Sequence, residues 1–234
     1  MKPYYDGDGI TIYHGDCREI LPYLPKVDLV LTDPPYGIGA DRNLRANKQH
    51  GKAAAPSRDY GVGNWDASPP DRELLELVIS RGYRAILWGG NYFLLPPASC
   101  WLVWDKDNGD NRYADCELAW TNLDSAVRKY RHRWMGMLQE NMSAKEERVH
   151  PTQKPVPLMM WCLRQAGEAG LDGDGLIDPF MGAGSTLVAA KRFGLRAIGI
   201  EIEERYCEIA AKRLENDMPL FSSPEYVQGE LFAA

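Results

Sequence analysis

Four consecutive residues, Asp33, Pro34, Pro35 and Tyr36, could together bind a flat base that carries an amino group. The carboxylate of Asp33 and the carbonyl of Pro34, which has no N–H, are hydrogen-bond acceptors, and they suit a group with two N–H donors. The second proline helps to hold the backbone still, and Tyr36 offers an aromatic face for stacking. The alternative interpretation is a proline-rich turn that only ends the apolar run 27–32.

A second candidate lies at 177–186, IDPFMGAGST, where Asp178 ends a predicted strand and a glycine turn leads into a helix. Glycines let a ligand approach the backbone, and free N–H groups at a helix start favour an anionic group. The pattern is neither the GxGxxG fingerprint nor a P-loop. Glu201 ends the next predicted strand, where an acid can accept hydrogen bonds from ribose hydroxyls. A capped helix after a glycine turn would explain the segment without a ligand.

The net charge of −6 hides an uneven distribution. Residues 38–60 carry five basic side chains against two acidic ones, and residues 125–154 carry seven against three. Two basic segments on an acidic protein are typical of a local phosphate-binding face, although solvated loops with chance charge would look the same. The candidate phosphate contacts are Arg42, Arg45, Lys48, Lys52, Arg128, Lys129, Arg131 and Arg133.

The elements that must position these residues alternate between strand and helix, which predicts an α/β fold with a mostly parallel sheet. Strands are predicted at 10–13, 27–32, 84–88, 100–104, 116–120, 175–178 and 196–202, and helices at 18–24, after 71, and at 157–169, 186–193 and 203–214. The strands at 100–104 and 116–120 could pair as an antiparallel hairpin. Asp16, Asp33, Asp178 and Glu201 all follow strands, so they should meet at one edge of the sheet.

Other features bound the class of protein. No run of about 18 apolar residues exists, and the N-terminus lacks a signal-peptide core, so we expect a cytosolic protein. The five cysteines form no CxxC pair and the four histidines have no ligand spacing, so neither a disulfide framework nor a metal site is indicated.

Three motifs, DPPYG at 33–37, DPFMGAGST at 178–186 and VHPTQKP at 149–155, resemble those of amino-methyltransferases that act on DNA and use S-adenosylmethionine. Their order resembles the circularly permuted beta class of DNA adenine-N6 methyltransferases, and the likeness runs from about 10 to 214. It implies a permuted Rossmann-like class I methyltransferase fold in a single domain, 1–234. Within it, 38–66 would be a mobile basic loop and 106–148 a short target-recognition region.

The resemblance also implies residue roles. Asp33 and the Pro34 carbonyl would bind the target amine, and Tyr36 would stack on a base flipped out of the duplex. The residues expected to bind the cofactor are Asp16, Cys17, Thr152, Lys154, Asp178, Phe180, Gly182, Gly184, Ser185, Thr186, Glu201 and Ile202. Among them, Lys154 and Thr152 would hold its carboxylate, and Glu201 its ribose.

The function that follows is methylation of the adenine amino group in double-stranded DNA by direct in-line displacement. A homodimer is compatible with the family. Cytosine-N4 methylation is the runner-up, because such enzymes share the chemistry but more often carry Ser where Asp33 stands. Two further alternatives are an RNA or protein amino-methyltransferase, which the motif order disfavours, and an inert DNA-binding module, which the intact motifs disfavour.

Overall fold

A nine-stranded mixed sheet organises the structure, a computed structural model that describes residues 1–39, 66, 68–109, 114–135, 138–140, 146, 149, 152–167 and 175–217. The strands are β1 (Tyr5–Gly7), β2 (Ile10–His14), β3 (Val27–Thr32), β4 (Gly82–Trp88), β5 (Trp101–Asp105), β6 (Cys116–Thr121), β7 (Arg128–Arg131), β8 (Trp134–Met135), β9 (Leu138–Gln139), β10 (Leu176–Asp178) and β11 (Ala197–Glu201). The helices are α1 (Cys17–Ile20), α2 (Arg72–Ser80), α3 (Val156–Gly167), α4 (Ser185–Arg192) and α5 (Glu204–Asn216).

The sheet has the order β1-β2-β11-β10-β3-β4-β6-β5-β7, with β8 and β9 forming a separate antiparallel pair. The five strands from β2 to β4 are parallel, and β6 runs antiparallel to both β4 and β5. The predicted α/β fold, its mostly parallel sheet and its antiparallel hairpin are therefore confirmed.

The strands β3 and β10 lie side by side at the centre of the sheet. From β10 the chain passes through α4 to β11, whereas from β3 it passes through α2 to β4, so the two paths leave in opposite directions. Such a switch point opens a crevice at the carboxyl ends of the strands. Every residue of β3 is buried, including Asp28, whose carboxylate accepts a hydrogen bond from the Gly175 N–H at 3.2 Å.

Helices cover both faces of the sheet and divide the apolar core in two. The residues of α3, α4 and α5 pack on one face, and those of α1 and α2 pack on the other. Asp71 begins α2 as predicted, because its side chain accepts a hydrogen bond from the Leu74 N–H at 2.8 Å and so satisfies a helix-end donor.

Three parts of the chain differ from the sequence predictions. The edge strand β1 was not predicted, and the 125–150 segment, in which no strand was predicted, contains β7, β8 and β9. The strand β7 joins the edge of the sheet through backbone pairing with β5, and its side chains stay largely exposed. Its sequence therefore lacks the alternation of apolar and polar residues by which a strand is predicted. The predicted helix at 18–24 stops at Ile20 and continues as a 3₁₀ turn, Leu21–Tyr23, where Pro22 cannot donate a helical hydrogen bond.

Most of the proposed loop 38–66 lies outside the described residues. No helix within the described ranges is long and apolar enough to cross a membrane.

Candidate active site

A cavity of about 530 Å³ opens at the carboxyl ends of β3, β10 and β11. Asp33 follows β3 and Asp178 ends β10, and the hydroxyl of Thr32 donates to Asp178 Oδ1 at 2.6 Å, which ties the two strand ends together. Most of the predicted site residues line this cavity: Asp16, Cys17, Asp33, Pro34, Pro35, Tyr36, Thr152, Lys154, Asp178, Phe180, Gly182, Ser185, Thr186, Glu201 and Ile202. The exception among the predicted cofactor residues is Gly184, which begins α4 with φ +77° and packs against Ala210.

Tyr36 is fixed in place by contacts on several sides. Its hydroxyl donates to Asp33 Oδ1 at 2.6 Å, and its ring stacks on Tyr92 with 4.9 Å between centroids and 16° between planes. Gly89 makes this seat possible, because a Cβ atom there would lie 2.1 Å from Tyr36 Cε1. Asp33 and Tyr36 are therefore held together as one unit.

Lys154 lies in the base-binding half of the cavity that we predicted around Asp33. Its Nζ is 2.7 Å from Asp33 Oδ2, 3.2 Å from the Tyr36 hydroxyl and 3.0 Å from Glu117 Oε2. Glu117 Oε1 in turn lies 2.5 Å from Lys106 Nζ. Two ammonium groups and two carboxylates thus form a chain in one wall of the cavity.

Burial governs the charges of this chain. It raises the pKa of Asp33, and the nearby Lys154 only partly opposes that rise. Burial alone would raise the pKa of Glu117 as well, but Lys154 and Lys106 outweigh it and hold that pKa at about 2. The carboxylates of Asp33 and Glu117 likewise outweigh burial at Lys154 and raise its pKa, so Lys154 and Glu117 are charged at neutral pH.

Lys106 and Glu117 were not predicted as site residues. Pairing between β5 and β6 brings both to the cavity. Trp104 lies opposite Glu117, and one step further the Lys106 N–H donates to the Asp115 carbonyl at 2.9 Å, so the side chains of Lys106 and Glu117 lie on the same face. The signal that could have found them is the predicted hairpin itself, since residues near opposite positions on paired strands share one face.

A buried acid, Asp178, and a partly buried acid, Glu201, stand in the predicted cofactor half of the cavity. Glu201 accepts hydrogen bonds from the Gly182 N–H at 3.0 Å and the Glu203 N–H at 2.9 Å. Burial raises its pKa to about 7, and burial raises the pKa of Asp178 to about 6. Asp16 lies beside β11, because the Gly15 N–H donates to the Glu201 carbonyl at 2.9 Å.

A polar network connects the 149–155 motif with the glycine turn. Gln153 donates to Glu146 Oε1 at 2.8 Å, and Arg213 Nη2 donates to the same oxygen at 2.7 Å. Arg213 Nη1 donates to the Ala183 carbonyl, next to Gly182. Arg213 and Glu146 are functional candidates that the sequence analysis missed, and only the three-dimensional arrangement links them.

The basic residues predicted to contact DNA divide into two groups. Arg42, Arg45, Lys48 and Lys52 lie outside the described residues. The other four lie on or just after β7, away from the cavity lining: Arg128, Lys129, Arg131 and Arg133. Arg131 and Arg133 both pair with Asp107, and Lys129 lies 3.3 Å from Asp105, so part of the positive charge is already balanced.

Within the part of the chain that the structure describes, no group of three or more His, Cys, Asp or Glu side chains could hold a metal ion. In one half, the cavity presents the carboxylate of Asp33 next to the aromatic ring of Tyr36. In the other half it presents a glycine turn with a hydrogen-bonded acid.

Comparison with known proteins identifies this arrangement. A family model described as DNA methylase, of the N6/N4 methyltransferase type, matches residues 97–212. The chain is 44% identical to the type II methyltransferase M2.DpnII of Streptococcus pneumoniae, with 92% of both chains covered. It is 27% identical to the type II methyltransferase M.ScaI of Streptomyces caespitosus, over 92% of this chain and 84% of the relative.

Solved structures show the same fold. The M1.HpyAVI–SAM complex is 24% identical and matches 88% of this chain and 98% of its own, with a TM-score of 0.52. The PvuII DNA methyltransferase, described as cytosine-N4-specific, is 15% identical and matches 94% and 91%, with a TM-score of 0.55. Together with the 44% identity to M2.DpnII, these findings show that the chain belongs to the N6/N4 family of S-adenosylmethionine-dependent DNA methylases.

Proposed function

We propose that this DNA methylase transfers a methyl group to the exocyclic amino group of adenine in DNA, as a member of the circularly permuted beta class. The observation that carries the proposal is the shared cavity at the ends of β3 and β10, with Asp33 and Tyr36 at one end and the glycine turn at the other. Permutation is supported by chain order, because the Asp33 motif precedes the turn at Gly182.

The residues present fit S-adenosylmethionine. Glu201 is held by two backbone N–H groups and keeps lone pairs for ribose hydroxyls. Ile202 is an apolar side chain 60% exposed at the cavity, which a nucleobase ring would cover. Thr152, Ser185 and Thr186 offer hydroxyls to the amino-acid part, and Asp16 and Cys17 lie beside Glu201, near the expected adenine. Bound there, the cofactor would supply the methyl group of its sulfonium ion and leave as S-adenosylhomocysteine, with the electrons of the broken carbon–sulfur bond on sulfur. The methylated nitrogen would release one proton, for which Asp33 is the nearest acceptor in the proposed arrangement.

Lys154 takes a different part in this proposal from the one its motif implies. Its ammonium would have to leave two carboxylates in order to bind the carboxylate of the cofactor. We therefore assign it to the base-binding half, beside Asp33.

The protein activates the amine through its acceptors. The lone pair of an exocyclic nitrogen is delocalised into the ring, so the nitrogen is a poor nucleophile. Hydrogen bonds from its two N–H groups to Asp33 and the Pro34 carbonyl would favour tetrahedral geometry and localise the lone pair. Positioning and electrostatic stabilisation then account for the rate, and the base must leave the duplex to reach the cavity.

DNA binding is assigned to the basic residues of both segments. We propose that the 38–60 segment, most of which lies outside the described residues, closes over DNA and cofactor. We also propose that recognition within 106–148 resides around β7 to β9. The reason is that β6 belongs to the central sheet and supplies Glu117 to the cavity. A cytosolic location, a bacterial or phage origin and a homodimeric state remain predictions from the sequence.

Long-read sequencing of DNA from a methylation-free host expressing the protein tests the proposal. We expect N6-methyladenine in one sequence context. Asp33→Ala should abolish it while calorimetry still detects S-adenosylmethionine binding. Methylcytosine without methyladenine would assign the enzyme to the cytosine-N4 alternative, and full methylation by Asp33→Ala would refute the assigned role of Asp33.

A further inference from the structure

The ammonium group of Lys154 engages the same acceptor that the proposed reaction assigns to the target amine. It lies 2.7 Å from Asp33 Oδ2, while Asp33 Oδ1 accepts the Tyr36 hydroxyl at 2.6 Å. Both oxygens of the proposed amine-binding carboxylate are therefore occupied by groups of the protein itself. Each oxygen keeps a lone pair for the amine, but an amine that gains positive charge there would lie beside the Lys154 ammonium, and Lys154 is the group that has a second carboxylate within reach.

That second carboxylate is Glu117, whose Oε2 lies 3.0 Å from Lys154 Nζ. This oxygen is buried, and its contact with the Lys154 ammonium has the distance of a hydrogen bond but not its preferred geometry. Turning the ammonium group toward Glu117 would strengthen that contact. A buried acceptor whose hydrogen bond has poor geometry costs free energy, so Glu117 attracts the Lys154 ammonium whether or not a base is bound.

Glu117 is itself held in position. Lys106 Nζ lies 2.5 Å from its other oxygen, and β6 is paired on both sides, with β4 and with β5. The Lys106 ammonium also lies 5.1 Å from the centre of the Trp104 ring. These contacts hold the Glu117 carboxylate in position, whereas the four-carbon side chain of Lys154 can change rotamer.

Charge gives a second reason for the movement. Methyl transfer places positive charge on the amine nitrogen, beside Asp33. An ammonium ion that stayed on Asp33 would repel this charge, but one held by Glu117 is balanced. Lys106, Lys154, Asp33 and Glu117 together carry no net charge, so the movement leaves the buried set neutral.

We infer that Glu117 is a positioning residue for methyl transfer: it draws the Lys154 ammonium off Asp33 when the target base enters, and so leaves Asp33 to the amine without a neighbouring positive charge. The inference rests on the proposed role of Asp33. It assigns to Lys154 the task of pairing with Asp33 until substrate arrives.

The experiment measures tritiated methyl transfer from S-adenosylmethionine to plasmid DNA from a methylation-free host, with the full chain. Glu117→Gln should lower kcat about tenfold or more, because the neutral amide holds the ammonium poorly and Lys154 stays on Asp33. The Kd for S-adenosylmethionine, measured by calorimetry, should stay within about twofold, since the contact made by Glu117 belongs to the base half. Glu208→Gln, at an exposed pair with Lys212, is the matched control and should keep the full rate.

A double-mutant cycle separates positioning from a structural role. In a Lys154→Met background no ammonium competes for Asp33, so adding Glu117→Gln should change kcat less than about twofold. Glu117→Asp, which keeps the charge, should restore most of the rate lost in Glu117→Gln. If Glu117→Gln does not fold, Glu117→Ala, which also removes the charge, replaces it in the cycle.

Two results would overturn the inference: an unchanged kcat in Glu117→Gln, or the same loss in both backgrounds. The proposed function fails on a different result, full activity in Asp33→Ala. An inactive Asp33→Ala together with a fully active Glu117→Gln would remove only the role assigned to Glu117.

Discussion

The substitution Gly89→Ala tests whether the position of the Tyr36 ring depends on the absence of a side chain at residue 89. The glycine has φ +70°, and an ideal Cβ there would lie 2.1 Å from Cε1 and 2.5 Å from Cδ1 of Tyr36. These distances are far below van der Waals contact. In Gly89→Ala, either the local structure is strained or Tyr36 swings aside and its hydroxyl leaves Asp33.

The magnitude has two parts. An L-residue in the left-handed conformation costs about 1–2 kcal/mol. Overpacking against a buried ring adds about 1–3 kcal/mol. Gly194→Ala isolates the first part, because Gly194 has φ +65° and no atom of the described residues lies within 4 Å of its Cβ position. We therefore expect Gly89→Ala to lose about 1–3 kcal/mol more stability than Gly194→Ala, unless Tyr36 moves away.

Urea unfolding and methylation kinetics together distinguish the outcomes. If Tyr36 stays, Gly89→Ala unfolds at a lower urea concentration than Gly194→Ala. If Tyr36 swings aside, the two variants have similar stability, but kcat falls about tenfold or more in Gly89→Ala alone. A Gly89→Ala enzyme with the stability of the control and the full methylation rate would refute the idea that Gly89 seats a catalytic Tyr36.

Two further predictions concern the acids and the basic strand. Burial raises the pKa of Glu201 from 4.5 to about 7, so the folded state binds more protons than the unfolded state between these values, and stability falls as pH rises through that window. The free energy of unfolding should drop by about 2–3 kcal/mol from Glu201 between pH 4.5 and 8, and Glu201→Gln should remove this part of the drop while weakening S-adenosylmethionine binding; a variant with the wild-type pH slope would contradict the prediction. Replacing both Arg131 and Arg133 with Ala should weaken DNA binding equally at specific and non-specific sequences and reduce the slope of log K against log salt by about 1–2. An unchanged slope in filter-binding measurements would exclude both residues from phosphate contact.

The site positions predicted best are those at the ends of parallel strands. A continuous apolar run identifies a strand buried on both faces, and parallel strands place their carboxyl ends at one edge. The sequence alone therefore suffices to place Asp33, Asp178 and Glu201 in one cavity, although more than a hundred residues separate the first two in the chain. This placement requires that the strands be parallel, and the alternation of strands with helices along the sequence predicts that they are.

The partners of charged residues could not be predicted in the same way. The basic cluster at 128–133 was predicted to contact phosphate groups, but two of its side chains, Arg131 and Arg133, already pair with Asp107. Asp107 has φ +47° and lies in the loop after β5, so its position depends on a turn that the sequence does not specify. Net charge along a segment therefore overstates the charge available to DNA, because acids from neighbouring strands compete for it.

The β5–β6 hairpin connects the predicted target-recognition region with the cavity that holds Asp33. The residues 106–148 were predicted to recognise the target sequence, yet the first of them, Lys106, and Glu117 on β6 line the cavity that holds Asp33. Glu117 contacts Lys154, and Lys154 contacts Asp33, so a displacement of the hairpin would change the charge environment of the carboxylate proposed to bind the amine. The strand β7, in the region proposed to read the DNA sequence, pairs with β5 of this hairpin, so we expect sequence recognition to influence the methylation rate.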